Sequence, residues 1–377
     1  MAGIYIHIPF CKQACYYCNF HFSTSTKNKD KVVKAMLKEI YIKSQSCNEL
    51  IETIYFGGGT PSFLESNQIN SLIEMVLENF NTSSNLEITL EANPDDLTNQ
   101  KLKDLSKSKI NRLSIGVQSF IDHDLKIMNR VHNSKVSNEC VKNAKKYYDN
   151  LSIDLIYGMP DSSIESWEHN LDIALSHEVN HISAYVLTVE PKTALQRYVQ
   201  KGLVNLIDEE IVFKQFKLMF KKLKNQKYIN YEISSFAKEG YFSKNNSSYW
   251  LRKKYIGIGP SAHSFDGVSR SWNVSNNNLY TKAIENNKKY YESEKLTKTD
   301  KYNEYIMTGL RTMWGVSLDF LKENFGENYK KYFIDKSKKF LHSKHLIQEN
   351  KVFKTTLDGK FLADGIASEL FIVNLKN

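Results

Sequence analysis

The chain is poor in cysteine and proline, and it has no long apolar segment. Only five cysteines and six prolines occur among its 377 residues. So few cysteines exclude a small disulfide-stapled fold, and we predict that the isolated Cys47 and Cys140 are buried as small hydrophobic side chains. No stretch approaches the ~18 uninterrupted apolar residues of a membrane span, and no basic segment followed by an apolar one opens the chain. We therefore expect a soluble, cytoplasmic protein.

The chain also lacks runs of like charge. Its formal net charge is +9, but the lysines stand largely singly within segments of helical period. This excess could attract nucleic acid, an anionic membrane surface or a ligand with carboxylate groups, and an ordinary solvated surface is the simpler interpretation. We expect no nucleic-acid partner, because no helix concentrates arginine and asparagine on one face. Peripheral contact with a membrane stays open.

Three of the five cysteines stand together. Cys11, Cys15 and Cys18 have the spacing Cys-x3-Cys-x2-Cys, which allows three thiolates to hold one [4Fe-4S] cube and leaves an iron free for an exchangeable small molecule. A structural zinc site is the alternative, but zinc normally takes four ligands and no second pair follows at a suitable spacing. Phe20 occupies a position where a fourth cysteine could have joined the site, and a phenyl ring cannot ligate iron.

Short β-rich runs alternate with longer helical patterns from residue 4 to about residue 190. This alternation predicts repeated βα units around a parallel sheet. The predicted strands are 4–8, 53–56, 86–90, 112–117, 151–156 and 181–186. Six such units form a partial (β/α)6 barrel of the TIM type, in which the active site lies at the C-terminal ends of the strands.

The alternation weakens beyond Pro191. A helix is predicted over 209–225, and residues 240–278 are rich in glycine, serine and asparagine. The last segment predicts the helices 303–313, 318–325 and 329–342, the strand 352–354 and a turn at 357–360. We expect three parts: a barrel (1–235), a connecting region (236–300) and a small, mainly helical, winged-helix-like domain (301–377) with a packing or lid role.

Polar side chains fall at or beyond the ends of the predicted strands. They are Glu91, Gln118, Arg130 and Asp154. A carboxylate such as Glu91 could accept hydrogen bonds from ribose hydroxyls or from a ligand amine. The turn Gly57–Gly59 lets backbone approach a ligand, although it lacks the pattern of a phosphate or dinucleotide loop. Convergence of these groups predicts a binding site at the barrel mouth.

A second group of distinctive residues follows in the predicted connecting region. Tyr249 and Trp250 could stack on a planar ligand, and His263, in a glycine-rich loop, could ligate a metal or haem iron. The ordinary alternatives are core packing for the two aromatic residues and a structural role for the histidine.

Several motifs in order resemble the radical S-adenosylmethionine family, and more narrowly the oxygen-independent coproporphyrinogen III oxidase group with its haem chaperone relatives. The motifs are the three cysteines after Ile-His-Ile-Pro-Phe, the Gly-Gly-Gly-Thr-Pro turn, Ile115–Phe120, Asp154–Pro160 and Gly257–Ser264. The resemblance runs nearly end to end. It implies a [4Fe-4S] cluster on the three cysteines, whose free iron is chelated by S-adenosylmethionine, and reductive cleavage of that molecule to a 5′-deoxyadenosyl radical.

The same resemblance implies which residues contact the cofactor. Those matching the family's S-adenosylmethionine contacts are Tyr5, Tyr17, Gly58, Gly59, Thr60 and Glu91. Gln118, Arg130 and Asp154 match further ligand positions, which in the oxidases serve a second S-adenosylmethionine. Whether one or two molecules bind to this chain stays open.

Two features favour the chaperone branch over the oxidases. The oxidases resemble Cys-x3-Cys-x2-Cys-x-Cys and carry an extension before the first strand, whereas this chain has Phe20 and starts at the strand. The resemblance therefore implies a protein that binds haem and passes it to an acceptor, with a cellular electron donor for the cluster. The alternatives are oxidative decarboxylation of coproporphyrinogen III in porphyrin biosynthesis and a radical reaction on nucleic acid. The acceptor, the donor and the oligomeric state are not specified by the sequence.

One departure bears on haem. The chaperone branch shows His-Asn-x-x-Tyr-Trp, with the histidine proposed to meet the iron, and here the stretch begins with Asn245. An amide is a poor haem ligand. If haem binds, His263 and His21 are the candidates that the sequence offers in its place.

Overall fold

The computed structural model describes residues 1–373. A sheet of twelve strands occupies the first four-fifths of this range, and a three-stranded sheet lies near its end. Six parallel strands pair in chain order at the centre of the large sheet. They are β1 (Ala2–Ile8), β2 (Ile51–Gly58), β3 (Thr82–Ala92), β4 (Arg112–Gln118), β5 (Leu151–Tyr157) and β6 (His181–Val186). The predicted partial (β/α)6 barrel is confirmed.

Helices connect the strands and cover one face of the sheet. They are α1 (Lys29–Ser44), α2 (Ser66–Asn79), α3 (Asn99–Leu105), α4 (Asp122–Ile127), α5 (Ser134–Ala144) and α6 (Ile164–Ser176). Ile4, Ile6 and Ile8 are at most 1% exposed and belong to the core under these helices. Because side chains alternate along a strand, Tyr5 and His7 point to the other face, the interior of the barrel. That interior is therefore polar.

The stretch after β6 adds strands at both edges of the sheet. It comprises α7 (Ala194–Gln200), α8 (Glu209–Asn225), β7 (Ile229–Asn230), β8 (Ser235–Ala237), α9 (Lys244–Trp250), β9 (Lys254–Ile258), β10 (His263–Phe265), β11 (Ser269–Asn273), α10 (Asn277–Glu285) and β12 (Tyr291–Lys295). Strand β9 pairs in parallel with β1, and β10 to β12 continue outward as antiparallel neighbours. Much of the predicted connecting region is thus part of the main sheet.

A small mainly helical unit with its own core ends the described chain. Its elements are α11 (Lys298–Leu310), β13 (Val316–Ser317), α12 (Leu318–Phe325), α13 (Glu327–His342), β14 (Leu346–Glu349), β15 (Val352–Thr355), α14 (Leu357–Phe361) and α15 (Ala363–Glu369). Thr297 and Asp300 form a reciprocal capping box at the start of α11. The predicted turn at 357–360 was wrong, because Thr356 caps a short helix there. Residues 374–377 of the predicted last domain lie outside the described range.

No helix in residues 1–373 is both long enough and apolar enough to span a membrane.

Candidate functional site

A cavity of about 430 Å³ opens at the C-terminal ends of the barrel strands. It brings together most of the residues that the sequence analysis selected for the cofactors. Those that line it are Cys11, Cys15, Tyr17, Cys18, Gly58, Gly59, Thr60, Glu91, Gln118, Arg130 and Asp154. Phe20 also lines it, and its side chain is 67% exposed. The cysteine loop and the C-terminal ends of the strands thus form one concave site, at the end of the barrel where parallel barrels carry their active sites.

Two hydrogen bonds aim at sulfur atoms in the cysteine loop. The Thr60 hydroxyl donates to Cys11 Sγ at 3.3 Å, and Arg130 Nη1 donates to Cys15 Sγ at 3.3 Å. Burial raises the pKa of the Cys11 thiol to about 11, so a bound metal is needed to hold it as a thiolate.

The donor set fits an iron-sulfur cluster. All three thiols are free and partly exposed to the same cavity. In residues 1–373, no three histidine, cysteine, aspartate or glutamate side chains are arranged to hold a single metal ion. A cube distributes its cysteines over different irons, so its ligands surround the cluster from separate directions.

The glycine turn after β2 packs tightly against neighbouring backbone. Gly58 has φ of +106°, and a Cβ there would lie 2.6 Å from the His7 ring. A Cβ on Gly59 would lie 2.8 Å from the Phe10 carbonyl oxygen and 3.0 Å from Cys11 Sγ. Glycine is therefore required at both positions for the turn to reach the cysteine loop.

Arg130 connects the cysteine loop to the strand ends. Its Nη2 donates to Asn93 Oδ1 at 2.6 Å and to the Gly116 carbonyl at 3.0 Å, while Nη1 serves Cys15. Gln118 ends β4 in the left-handed region at φ of 65°, a conformation that costs energy in a non-glycine residue. Such strain at a cavity is typical of a binding site.

Two carboxyl groups face the cavity from β3 and β5, the strands on either side of β4. Burial raises the pKa of Glu91 to about 7, and the Tyr55 hydroxyl donates to it at 2.6 Å. Burial likewise raises the pKa of Asp154 to about 6, and Ser114 donates to its two oxygens at 3.4 and 3.3 Å. These groups can accept hydrogen bonds from ligand hydroxyls or amines when ionised.

Tyr5 lies beside this cavity and is not among its lining residues. Its ring stacks on Tyr55 with centroids 6.2 Å apart, and its hydroxyl is 3.3 Å from His7 Nδ1. His7 Nε2 lies 2.9 Å from the His21 carbonyl oxygen, which assigns the imidazole proton to Nε2 and makes Nδ1 the acceptor from Tyr5. The His21 ring pairs with Asn277 at 2.9 Å.

A second cavity, of about 620 Å³, lies between α11 and the segment from α9 to β12, which we call the sheet extension. Tyr249 and Trp250 line it. The Arg252 guanidinium stands 4.7 Å from the Tyr305 ring centroid and 4.8 Å from that of Phe320. Further lining residues are Tyr255, Phe265, Arg270, Glu304 and Met307. The walls are partly aromatic, and both charges are present: two arginines line the cavity together with Glu294, Asp300 and Glu304.

Asn245 and His263 line neither of these cavities. Asn245 is 4% exposed, and its Oδ1 accepts a hydrogen bond from Thr53 at 3.2 Å. Its backbone N–H donates to Glu87 at 3.1 Å, so the residue sits near the beginning of the strands, at the end of the barrel opposite the cysteines. His263 is exposed on β10, with its ring centroid 6.2 Å from that of Trp272.

The sequence analysis missed several cavity residues. Asn93 and Ser114 line the first cavity and bond to Arg130 and Asp154. The period of two along a strand would have found Ser114, because it shares a face with Gln118. No comparable signal marks Asn93.

The chain is similar to known proteins over most of its length. The Radical SAM superfamily model matches residues 5–174, and the HemN C-terminal domain model matches residues 296–362. The protein named "Heme chaperone HemW" in Bacillus subtilis is 36% identical over 87% of this chain and 87% of its own. A HemW of Buchnera aphidicola is 33% identical over 98% of both. The chain belongs to the HemW family within the radical SAM superfamily.

The chain shares its fold with a solved oxidase. The coproporphyrinogen III oxidase HemN of Escherichia coli superimposes with a TM-score of 0.85 over 98% of this chain and 90% of its own, at 21% identity. That identity supports a shared fold alone. Radical SAM membership implies a [4Fe-4S] cluster and S-adenosylmethionine; the chemistry such a cluster supplies is the electron that cleaves the sulfonium.

Proposed function

We propose that this protein binds haem and passes it to an acceptor protein. The observation that carries the proposal is the 36% identity to a protein named for haem chaperone function, sustained over 87% of both chains. Phe20 supports it as well. A fourth cysteine is expected in the oxidases two residues after Cys18, and this chain presents an exposed aromatic ring there.

The first cavity suits the cluster and S-adenosylmethionine. We assign the cluster to Cys11, Cys15 and Cys18, whose sulfurs line the cavity beside Gly59. The Thr60 hydroxyl and the Arg130 guanidinium donate to two of these sulfurs, which favours their charged form. Glu91 and Asp154 offer acceptors to ribose and amine groups, and Tyr5 orients Tyr55 behind them.

The second cavity suits haem. A porphyrin is planar and apolar with two propionates, and Tyr249, Trp250 and Phe265 provide aromatic walls while Arg252 and Arg270 provide cations. Arg270 is paired with Glu304 at 2.9 Å, whereas Arg252 stands over the Tyr305 and Phe320 rings without an ion pair among the described residues and is the better partner for a propionate. A volume of about 620 Å³ falls within the ordinary range for such ligands.

Met307 is our candidate for the haem iron. Met307 lines the second cavity, and methionine is an established axial ligand of haem. His263 is exposed outside this cavity and the His21 ring is bonded to Asn277 near the cysteine loop. The buried Asn245 supports the aromatic pair from behind, through the helix α9 that carries both.

Titration of haemin into the purified, cluster-reconstituted protein tests the assignment. We expect a saturable Soret shift at micromolar haemin, with affinity reduced about tenfold in Arg252→Met and a changed ligand-field spectrum in Met307→Leu. His263→Ala is the matched control and should titrate like the wild type. Absence of a Soret shift at micromolar haemin contradicts haem binding. If His263→Ala loses as much haemin affinity as Arg252→Met, the assignment of haem to the second cavity is contradicted.

A further inference from the structure

Arg112 is the largest fully buried side chain of residues 1–373, yet two of its three guanidinium nitrogens have no hydrogen-bond partner there. It is 1% exposed at the start of β4, and its Nε and Nη1 atoms are buried without an acceptor. Burying a guanidinium without hydrogen-bond acceptors is energetically unfavourable, because the charge loses its hydration. Nearby negative charges would offset this cost, and Glu91 and Asp154 both interact electrostatically with Arg112.

The register of the sheet aligns Arg112 below the two carboxyl groups of the first cavity. Arg112 of β4 pairs with Thr89 of β3. Two residues further along the same strands, Ser114 pairs with Glu91. Ser114 also donates to Asp154. Two residues of a strand span about 6.6 Å, a distance that the long arginine side chain can cover. The guanidinium therefore lies at the floor of the barrel beneath both acids.

Other titratable groups face these acids from the surrounding strands. They are Tyr5 on β1, Tyr55 on β2, Tyr185 on β6, Tyr249 on α9 and Arg130 beside the cysteine loop. Tyr5, Tyr55 and Tyr249 are neutral, because burial raises the pKa of each above its ordinary value. Below Arg112, His181 is buried and bonds Ser152 and Tyr231 at 2.7 and 2.8 Å. Burial, then Arg112, lowers the pKa of His181, so that ring adds no charge.

We propose that Arg112 is a positioning residue of the cofactor cavity, a fixed positive charge that holds Glu91 and Asp154 as carboxylates ready to accept hydrogen bonds. Arginine is suited to this because it keeps its charge when buried, whereas a lysine there would lose its proton. Coulombic attraction from Arg112 opposes the burial that raises the pKa of both acids. The inference rests on the proposed binding of S-adenosylmethionine at this cavity.

The titration of the two acids tests the role of Arg112 without any ligand. Difference infrared spectra of the reconstituted, S-adenosylmethionine-free protein, assigned with Glu91→Gln and Asp154→Asn, give the midpoint of each carboxyl group. In Arg112→Met, we expect the midpoints to rise by about one pH unit, a tenfold change in proton affinity. In Arg112→Lys, the midpoints should also rise, because a lysine buried there would lose its proton and with it the positive charge. Midpoints unchanged in Arg112→Met overturn the proposal.

The consequence for binding is measured separately, by anaerobic equilibrium dialysis of S-adenosylmethionine between pH 6 and 8.5. Affinity in Arg112→Met should fall at least tenfold at pH 7 and recover toward pH 8.5, whereas a merely misfolded variant loses affinity equally at every pH. A uniform loss overturns the proposal. Haemin titration of the same variant should match the wild type, because the haem site is a different cavity. The role of Arg112 and the haem assignment are thereby tested independently.

Discussion

The guanidinium of Arg130 donates a hydrogen bond to Cys15 Sγ at 3.3 Å. The same side chain holds Asn93 and the Gly116 carbonyl, so it couples the cysteine loop to the ends of β3 and β4. A cluster bound at Cys15 would thus be tuned by a charge that also sets the shape of the cavity.

Replacing Arg130 should weaken the cluster site. In Arg130→Met, the donor to Cys15 is lost and Asn93 loses its partner, so we expect a lower cluster potential and slower reconstitution, with affinity for S-adenosylmethionine reduced on the order of 10–100-fold. Iron and sulfide content, the 400 nm absorbance and a redox titration measure these effects. Arg130→Lys keeps the charge and should retain part of the function. Wild-type potential and iron content in Arg130→Met would count against the coupling.

An added methyl group should separate the turn after β2 from the cysteine loop. In Gly59→Ala, the Cβ would meet the Phe10 carbonyl oxygen at 2.8 Å and Cys11 Sγ at 3.0 Å, so one of the two loops must shift. We expect a clear loss of bound iron after reconstitution. Gly365→Ala is the control, because its Cβ meets nothing within 4 Å inside a helix, and should be neutral or slightly stabilising. Equal iron content in both variants would refute the packing argument.

The ionisation of Glu91 opposes folding at neutral pH. Its pKa rises from the ordinary 4.5 to about 7 in the folded chain, so stability falls as pH increases through that window and the cost is complete above it. Glu91→Gln should therefore be more stable than the wild type at pH 8, by about 3 kcal/mol, and equal to it near pH 4. Urea denaturation of the S-adenosylmethionine-free protein measures this. Identical pH profiles for the two proteins would contradict the buried carboxyl group.

A buried carboxylate, that of Glu39, anchors the Gly257-Ile-Gly-Pro motif by hydrogen bonds. Glu39, fully buried on α1, accepts hydrogen bonds from the Gly259 N–H at 2.7 Å, from Asn273 at 2.8 Å and from Tyr280. Lys43 pairs with it at 2.9 Å. Glu39→Gln should destabilise the protein by about 1–3 kcal/mol, because it replaces an acceptor by a donor facing donors.

Chemical denaturation compares Glu39→Gln with Glu74→Gln, an exposed change on α2. The control should stay within about 0.5 kcal/mol of the wild type. A matching small effect in both would show that the network does not anchor the motif.

The sequence predicted the barrel and its mouth because local patterns specify both. Each of the six strands was found, with bounds shifted by a few residues where polar ends such as Gln118 continue the pairing. The parallel arrangement then brought Glu91, Arg130 and Asp154 to one cavity. The four strands after α9 were missed, because their short segments have no clear period. Strand β9 forms against β1, and β10 to β12 form only by pairing onto β9 and one another.

The sequence did not predict which polar residues are buried. Arginine and asparagine are usually found at the surface. Arg112 and Asn245 are buried because the sheet and α9 pack around them. The second cavity could not be predicted either, since it forms where α11 meets the sheet extension, across more than fifty residues of chain. Long-range packing of this kind leaves no mark within a local window.

The most direct test of the account is one anaerobic experiment on the reconstituted protein with S-adenosylmethionine and a reductant, offered haemin or coproporphyrinogen III in parallel samples. We predict a saturable Soret band at one haem per chain, transfer of that haem to an apo-haemoprotein, and no porphyrin product. Formation of protoporphyrinogen with 5′-deoxyadenosine, in a protein that binds no haem, would contradict the account and assign the chain to the oxidases.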